Sequence, residues 1–414
     1  MRPPAPGLWQ NPAFRRLWAG QSVSQLGSQI TLLALPLTAV LALGATPVQM
    51  GILGAAEAAP WMLFGLFAGA WVDRVRRRPV LIGADLGRAA LLASVPLAAD
   101  WHLLGMEWLY AVGFLAGALN VLFEVAHGAF LPTVVPRSDL MAGNSTLQAS
   151  ISVAEVAGPG LAGALVQALS APVAIVLDAV SFLVSAVFVS LIRTPEAAPA
   201  PGKGRNMVRE VREGLGVVRG SPILRWLVLF GISSNLFFAM NQAVRVLYVS
   251  RDLHLAPALV GAIFAAGSVG GLPAALLAGR MARRFGIGRT LVTAQTLICL
   301  GAVLFPLAEE PRLAALLLVA GMILSGLGAI IYIITVGSLR QATTPDRLQG
   351  RVSASMRFIS RSAVPLGMLI GGLLGEQLGL RTTLIVAAVG TVAGPVLVLL
   401  SPVARLHELP AGEV

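Results

Sequence analysis

The sequence predicts an all-α membrane protein, with twelve transmembrane helices in two six-helix, pseudo-symmetric halves. Three observations predict it: an apolar composition, twelve stretches of spanning length, and basic residues that alternate from one side to the other. Of 414 residues 56% are hydrophobic and only 12% charged, with a mean hydropathy of +0.81. A soluble domain carries about 45–50% apolar and about 25% charged residues. The polar surface left here cannot cover a water-facing globule, and the same numbers exclude a disordered chain.

A spanning helix takes about 20 mostly apolar residues. Twelve such stretches run at about 17–43, 48–72, 79–100, 107–134, 144–169, 172–192, 222–249, 257–279, 289–308, 313–339, 352–375 and 381–402. The first is too long for a cleaved signal peptide, and no small-residue cleavage site follows a short apolar core. Arg15 and Arg16 before it anchor the N-terminus on the cytoplasmic side.

With the N-terminus inside, cytoplasmic segments hold 23 of the 30 Lys and Arg, outer loops hold three (Arg251, Arg312, Arg381) and spans hold four (Arg88, Arg245, Arg357, Arg361). The inner set includes Arg74, Arg76, Arg77 and Arg78, the run from Arg280 to Arg289, and Arg340, Arg347 and Arg351. A wrong helix count would scramble this positive-inside bias. It places both termini in the cytoplasm of a multi-pass protein of the cell (inner) membrane. It also turns the formal charge of +11 and the pI near 11.3 into a record of topology rather than a nucleic-acid footprint. The single cysteine, Cys299, excludes a disulfide scaffold and a Cys-based metal cluster. No cofactor, metal or nucleic-acid partner is expected, and the chain is expected to be a monomer in the bilayer. Arginine outnumbers lysine 29 to one, which fits a GC-rich bacterial coding sequence.

The longest inter-span segment, 193–221, is rich in Pro, Gly and charge and lies near the middle of the chain. It divides an N-terminal half, 1–192, from a C-terminal half, 222–414. Within it, Val208, Val211, Leu215 and Val218 alternate with Arg209, Arg212 and Arg219 at helical spacing, as in a helix lying on the inner membrane surface. The halves echo each other. Leu66-Phe67-Ala68-Gly69 recurs as Leu276-Leu277-Ala278-Gly279, Pro136…Leu140…Gly143 as Pro345…Leu348…Gly350, and Gly158-Pro159 as Pro365-Leu366-Gly367. Three echoes in order, at offsets between 206 and 210, predict a 6+6 internal repeat of the kind secondary transporters carry.

Gly69-Ala70-Trp71-Val72-Asp73-Arg74-Val75-Arg76-Arg77-Arg78 resembles the loop 2–3 signature of the major facilitator superfamily, with Arg76 where that signature usually has its second Gly. Asn11-Pro12-x-Phe14-Arg15-Arg16-Leu17-Trp18, Ala84-Asp85-Leu86-x-Arg88 and Ser181-Phe182-Leu183 are similar to the drug–proton antiporter branch, which includes macrolide efflux proteins and the enterobactin exporter. The likeness covers nearly the whole chain. It implies the major facilitator fold. It also implies a cytoplasmic gate in which Gly69, Asp73, Arg74, Arg77 and Arg78 clamp the halves, the Asp73 carboxylate resting near a helix N-terminus.

Gly158-Pro159-Gly160-Leu161-Ala162-Gly163 spells the G-x-G-x-x-G dinucleotide fingerprint, but that motif needs a preceding strand and this copy lies inside an apolar span. Its better match is the antiporter Gly-Pro motif, with Gly158, Pro159 and Gly163 permitting close helix approach and a bend. Gly367, Gly371 and Gly375 offer a comparable small-residue face in span eleven.

Ionisable groups inside a membrane are costly and point to function. Five carboxylates lie within spans (Glu57, Asp85, Glu124, Glu155 and Asp178), all in the N-terminal half, whereas Arg245, Arg357 and Arg361 lie in the C-terminal half. Asp85 and Arg88 are three apart on one helix and neutralise each other. Asp178 is placed to hydrogen-bond Ser181 or a neighbouring helix. Glu155 shares a face with Gln148 and Ser152, and Glu124 with Asn120 and His127; Glu57 is near the middle of span two. Burial disfavours a charged carboxylate and a nearby arginine favours it, so a site exposed alternately to the two sides can bind and release a proton. The expectation is that Glu155, ahead of Glu124 and Glu57, carries a coupling proton, with Arg361 as its partner. Two departures from the antiporter pattern are plain: span four lacks its arginine, and the C-terminal spans hold no carboxylate.

Substrate-cavity candidates are Gln21, Gln25 and Ser28 of span one, Asn120 of span four, Asn235, Phe238, Asn241 and Arg245 of span seven, Tyr332 of span ten, and Arg357 of span eleven. Aromatic residues among sparse hydrogen-bonders suit a bulky amphipathic molecule better than a sugar. The expected function is proton-coupled export of lipophilic or amphipathic small molecules by alternating access, the alternative being a dedicated metabolite, siderophore or lipid exporter of the same fold. Four histidines and no nucleophile–base constellation argue against an enzyme.

Overall fold

The computed structural model describes residues 8–72, 74–194, 196, 207–309 and 311–408, and among these no strand occurs. Eleven helices are long and apolar enough to cross a membrane, and Pro47–Val72, 26 residues with one charged side chain, is a twelfth of membrane length. In chain order they are α1 (Pro12–Leu41), α2 (Pro47–Val72), α3 (Arg77–Asp100), α4 (Met106–Val134), α5 (Leu140–Ala168) and α6 (Ala171–Ser190). After α7 (Met207–Gly220) come α8 (Pro222–Leu247), α9 (Pro257–Phe285), α10 (Ile287–Leu304) and α11 (Pro311–Ala342). The eleventh span is two helices, α12 (Gln349–Arg361) and α13 (Ala363–Leu378), and so is the twelfth, α14 (Leu380–Thr391) and α15 (Ala393–Leu400).

Local chemistry explains the ends. The Asn11 side chain accepts from the Ala13 and Phe14 amides at 3.0 and 3.3 Å and starts α1, while Ser170 and Ser221 cap α6 and α8, each with proline in the first turn. Gly286 at φ 84° and Gly379 at φ 86° turn the chain between α9 and α10 and between α13 and α14, in a region that L side chains rarely adopt. Both broken spans part four residues before a proline: Arg361 precedes Pro365, and Thr391 precedes Pro395. A proline supplies no N–H to the carbonyl four residues back, and the helix opens there.

The repeated turn is a repeated structure. Pro136 leads through a 3₁₀ turn, Arg137–Asp139, into α5, and Pro345 leads through Asp346–Leu348 into α12. The Asp139 amide closes on the Pro136 carbonyl at 2.9 Å, and Leu348 on Pro345 at 2.8 Å.

Helix contacts divide the chain into two compact units, Met1–Gly44 with Leu63–Arg205, and Ala45–Met62 with Asn206–Val414. In the first, α6 packs on α1 and α3, α5 on α1, and α4 on α3. Phe14, Leu17, Leu81, Phe130 and Ile192 form its buried cluster. In the second, α8 packs on α13 and α14, α11 on α9 and α10, and α7 on α12. Residues 45–62 join it because Gly51 and Gly372 leave room for the backbones of α2 and α13: a Cβ on Gly51 would lie 2.6 Å from the Met368 carbonyl and 3.0 Å from the Gly372 Cα. A division by sequence order at 192 and 222 counts Glu57 with the N-terminal helices; packing puts it in the second unit.

The surface-lying helix expected at 205–219 is α7. Its described apolar side is taken by protein rather than left for lipid headgroups: Gly214 sits on the Arg351 backbone and Val218 is buried with Leu224, Val352 and Met356. An ion pair between Glu213 and Arg351 ties α7 to α12.

Candidate functional site

In the first unit, polar groups form a chain that runs from the buried Asp85 and Arg88 through half-buried Asn120 to exposed Glu124. Arg88 donates to the Asp85 carboxylate at 2.5 Å and to the Asn120 side-chain oxygen at 2.9 Å, and Asn120 in turn donates to Glu124 at 3.1 Å. The Arg88 guanidinium lies between two rings, 4.4 Å from the centroid of Phe123 and 4.0 Å from that of Phe182. Asp178 accepts from the Ser181 hydroxyl at 3.0 Å. His127, on the face of Asn120 and Glu124, stacks on Phe123 at 5.9 Å, and its Nε2 is enclosed without a hydrogen-bond partner. Gln21 is buried with its Oε1 unpartnered, and Gln25 and Ser28 follow along α1 half-buried. Glu155 is exposed on α5.

Gly158 explains its own motif: a Cβ there would run into the Gln29 side chain of α1, so α5 and α1 meet at a contact only glycine allows. Gly163 is buried beside it on α5. Gly160, the middle glycine, faces no atom within 4 Å. In the second unit, Gly367 and Gly371 face the Leu236 and Met240 carbonyls of α8, which accounts for the small-residue face of α13 by packing.

Asp73 of the loop signature lies outside the described residues. Gly69 meets nothing within 4 Å, and Arg74 is exposed. The other two arginines of the motif have local tasks. Arg78 donates through Nε to the Val189 carbonyl at 3.2 Å and through its terminal nitrogen to Ser190, and Arg16 reaches the Leu191 carbonyl at 2.6 Å. Two arginines thus cover the C-terminal carbonyls of α6, where a helix dipole favours cations. The Arg77 and Arg78 amides, at the start of α3, donate to the two oxygens of the Glu196 carboxylate at 2.7 and 2.8 Å. Glu196 was missed in the sequence because its partners lie about 120 residues away, and no local signal marks a capping residue at that distance.

The second unit holds a cavity of about 530 Å³ among α8, α9, α10, α11 and α14. It brings together Asn235, Phe238, Asn241, Arg245 and Tyr332, five residues expected at a substrate site. Arg357 is outside this lining, exposed on the α12 side of the Pro365 break. The cavity adds Phe264 and Gln295; Gln295 donates to Ser234 at 3.1 Å. A lone Gln inside span nine is a signal of the same kind as Gln21 in span one. Within the same unit, Arg361 lies over the Trp61 ring at 5.0 Å, and Glu57 stands one turn before Trp61, half-buried, with neither hydrogen bond nor ion pair among the described residues.

Membrane-length helices in two compact units, with charges buried among them, define an integral membrane protein of the major facilitator fold. Solved structures show the same fold. A variant of the nucleoside transporter NupG superposes with a TM-score of 0.79 at 12% identity, covering 94% of this chain and 99% of that one. A bacterial homologue of the iron transporter ferroportin, inward-facing, does so with a TM-score of 0.74 at 18% identity, covering 95% and 99%. Residues 5–411 match the transmembrane secretion effector family, and the chain belongs to that family of major facilitator transporters. Among curated relatives, the multidrug efflux pump Tap of Mycolicibacterium fortuitum is 28% identical over 393 residues, 92% of this chain and 93% of that one. Macrolide efflux protein A of Streptococcus pyogenes is 25% identical over 380 residues, 89% and 90%.

Proposed function

We propose that the protein is a proton-coupled exporter of lipophilic or amphipathic small molecules, working by alternating access of two halves, 1–192 and 222–414, joined by the 193–221 linker. It acts as a monomer in the cell membrane with both termini in the cytoplasm, the orientation the basic loops favour. The observation that carries the substrate class is the cavity of the second unit: its exposed wall is mainly apolar, with Phe237, Phe238, Phe264, Phe305, Ile298 and Met322, and amides, hydroxyls and the Arg245 guanidinium are set among them. Full-length relatives named as multidrug and macrolide efflux proteins support export. Gln21, Gln25, Ser28 and Asn120 are the candidates for substrate contact within the first unit.

Proton coupling falls to Glu57, Glu124 and Glu155, with Arg361 as counter-charge. Glu57 has no polar partner among the described residues, so taking up a proton removes the cost of an isolated charge, and its neighbour Trp61 bears the Arg361 guanidinium. Glu124 reports through Asn120 to the Arg88–Asp85 pair. Asp73, with the loop arginines, serves as the cytoplasmic gate.

The test is flux of a panel of amphipathic compounds from proteoliposomes with an imposed pH gradient. Gradient-dependent flux is expected for at least one, and Glu57→Gln, Glu124→Gln and Glu155→Gln identify the carrier as the variant that binds substrate yet ignores the gradient. Absence of gradient-driven flux for every amphipath, with uptake of a polar nutrient instead, sinks the export reading.

A further inference from the structure

Three arginines in the membrane-spanning helices have well-defined surroundings. Arg88 is neutralised by Asp85, and Arg361 lies on Trp61. Arg245 stands in the wall of the second unit's cavity with its guanidinium carbon 4.7 Å from the centroid of Phe264 and 5.8 Å from that of Phe238, and its Nε is enclosed without a hydrogen-bond partner among the described residues. No ion pair reaches it among the described residues, and no Asp or Glu lines the cavity. Two aromatic faces offset part of the cost of an unpaired cation away from water, but they leave its donors unmet.

The direction of the side chain also matters. Phe238 is seven residues nearer the start of α8, so the guanidinium points back along the helix into the cavity. An arginine snorkelling to the outer interface would extend the other way, past Tyr248. Two other donors of the wall are already used. The Asn235 amide nitrogen donates to the Gly231 carbonyl at 2.8 Å, and that of Gln295 to Ser234. Asn241, one turn before Arg245 on the same face, makes no hydrogen bond among the described residues.

We infer that this cavity is an anion-recognising site. Arg245 and Asn241 hold one acidic group of the ligand, a carboxylate, sulfonate or phosphate, while Phe238, Phe264 and the apolar walls hold an aromatic or aliphatic body beside it. The inference rests on the transport reading for its role as a substrate site, and it narrows the amphipathic substrates to those bearing a single negative charge. The charge could arrive on a soluble organic acid or on an anionic lipid headgroup.

The experiment measures equilibrium binding of 1-naphthoate and of its neutral isostere 1-naphthamide to the full-length protein, by calorimetry in phosphatidylcholine nanodiscs. A charge-assisted contact in a mainly apolar site makes the acid bind at least about tenfold tighter than the amide. Arg245→Gln should bring the two within about twofold of each other, and Arg245→Lys, which keeps the charge, should preserve the preference. Should Arg245→Gln fail to fold, the wild-type comparison and Arg245→Lys still decide. Equal binding of acid and amide to the wild type, or a preference that survives Arg245→Gln, overturns the inference. Repeating the titration in phosphatidylglycerol nanodiscs separates the sources. Naphthoate weakened by phosphatidylglycerol in the wild type alone supports the site with a lipid headgroup as occupant, and unchanged affinity supports it with a soluble acid. Because the readout is binding, loss of gradient-driven flux with the acid preference intact would refute the transport reading and leave the site standing.

Discussion

Arg88 and Asp85 meet at 2.5 Å, three residues apart on α3, with the arginine side chain 5% exposed and the carboxylate fully buried. Such a pair costs nearly as much to desolvate as its attraction returns, but either half alone leaves an uncompensated charge. Asp85→Leu or Arg88→Met should each lower stability by roughly 3–5 kcal/mol, and the double variant by much less. Thermal unfolding in a single detergent checks this. A double variant as unstable as the worse single one would count against the pair.

Two glycines of one motif should part company. Gly158→Ala drives a methyl into the Gln29 side chain and should cost about 1–3 kcal/mol. Gly160→Ala, with open space around it, should be neutral or slightly stabilising. Equal behaviour of the two in a melting assay would refute close helix approach as the reason for Gly158.

Glu196 holds both first amides of α3. Glu196→Ala should cost about 0.5–2 kcal/mol, as the loss of a helix cap does, and should speed hydrogen exchange at the Arg77 and Arg78 amides. Unchanged protection there would show that the cap is not formed.

Pro365 opens the eleventh span at Arg361, the residue that reaches Trp61. Pro365→Ala restores a donor to the Arg361 carbonyl and should raise the unfolding midpoint while slowing gradient-driven flux several-fold. Wild-type flux from a more stable variant would separate the break from the transport cycle.

Windows of about twenty residues sufficed to place the spans, because partition of a short segment into a bilayer is a local property. The Asp85–Arg88 pair was legible for the same reason, three residues on one helix needing no knowledge of neighbours. So was the repeated Pro-led turn before α5 and α12. Which helices touch was not legible. Lipid tails are as apolar as Leu, so no water-exclusion pattern in the sequence names a helix's partner. Tertiary structure alone brought Glu196 to the start of α3 and moved residues 45–62, with Glu57 and Trp61, into the company of Arg361. It also enclosed Arg245 with Phe264 and Gln295, drawn from two further helices. The sequence by itself determined a membrane protein and its inventory of charges within the spans. Close contact between helices distant along the chain decided which of those charges are neutralised and which stand open to a ligand.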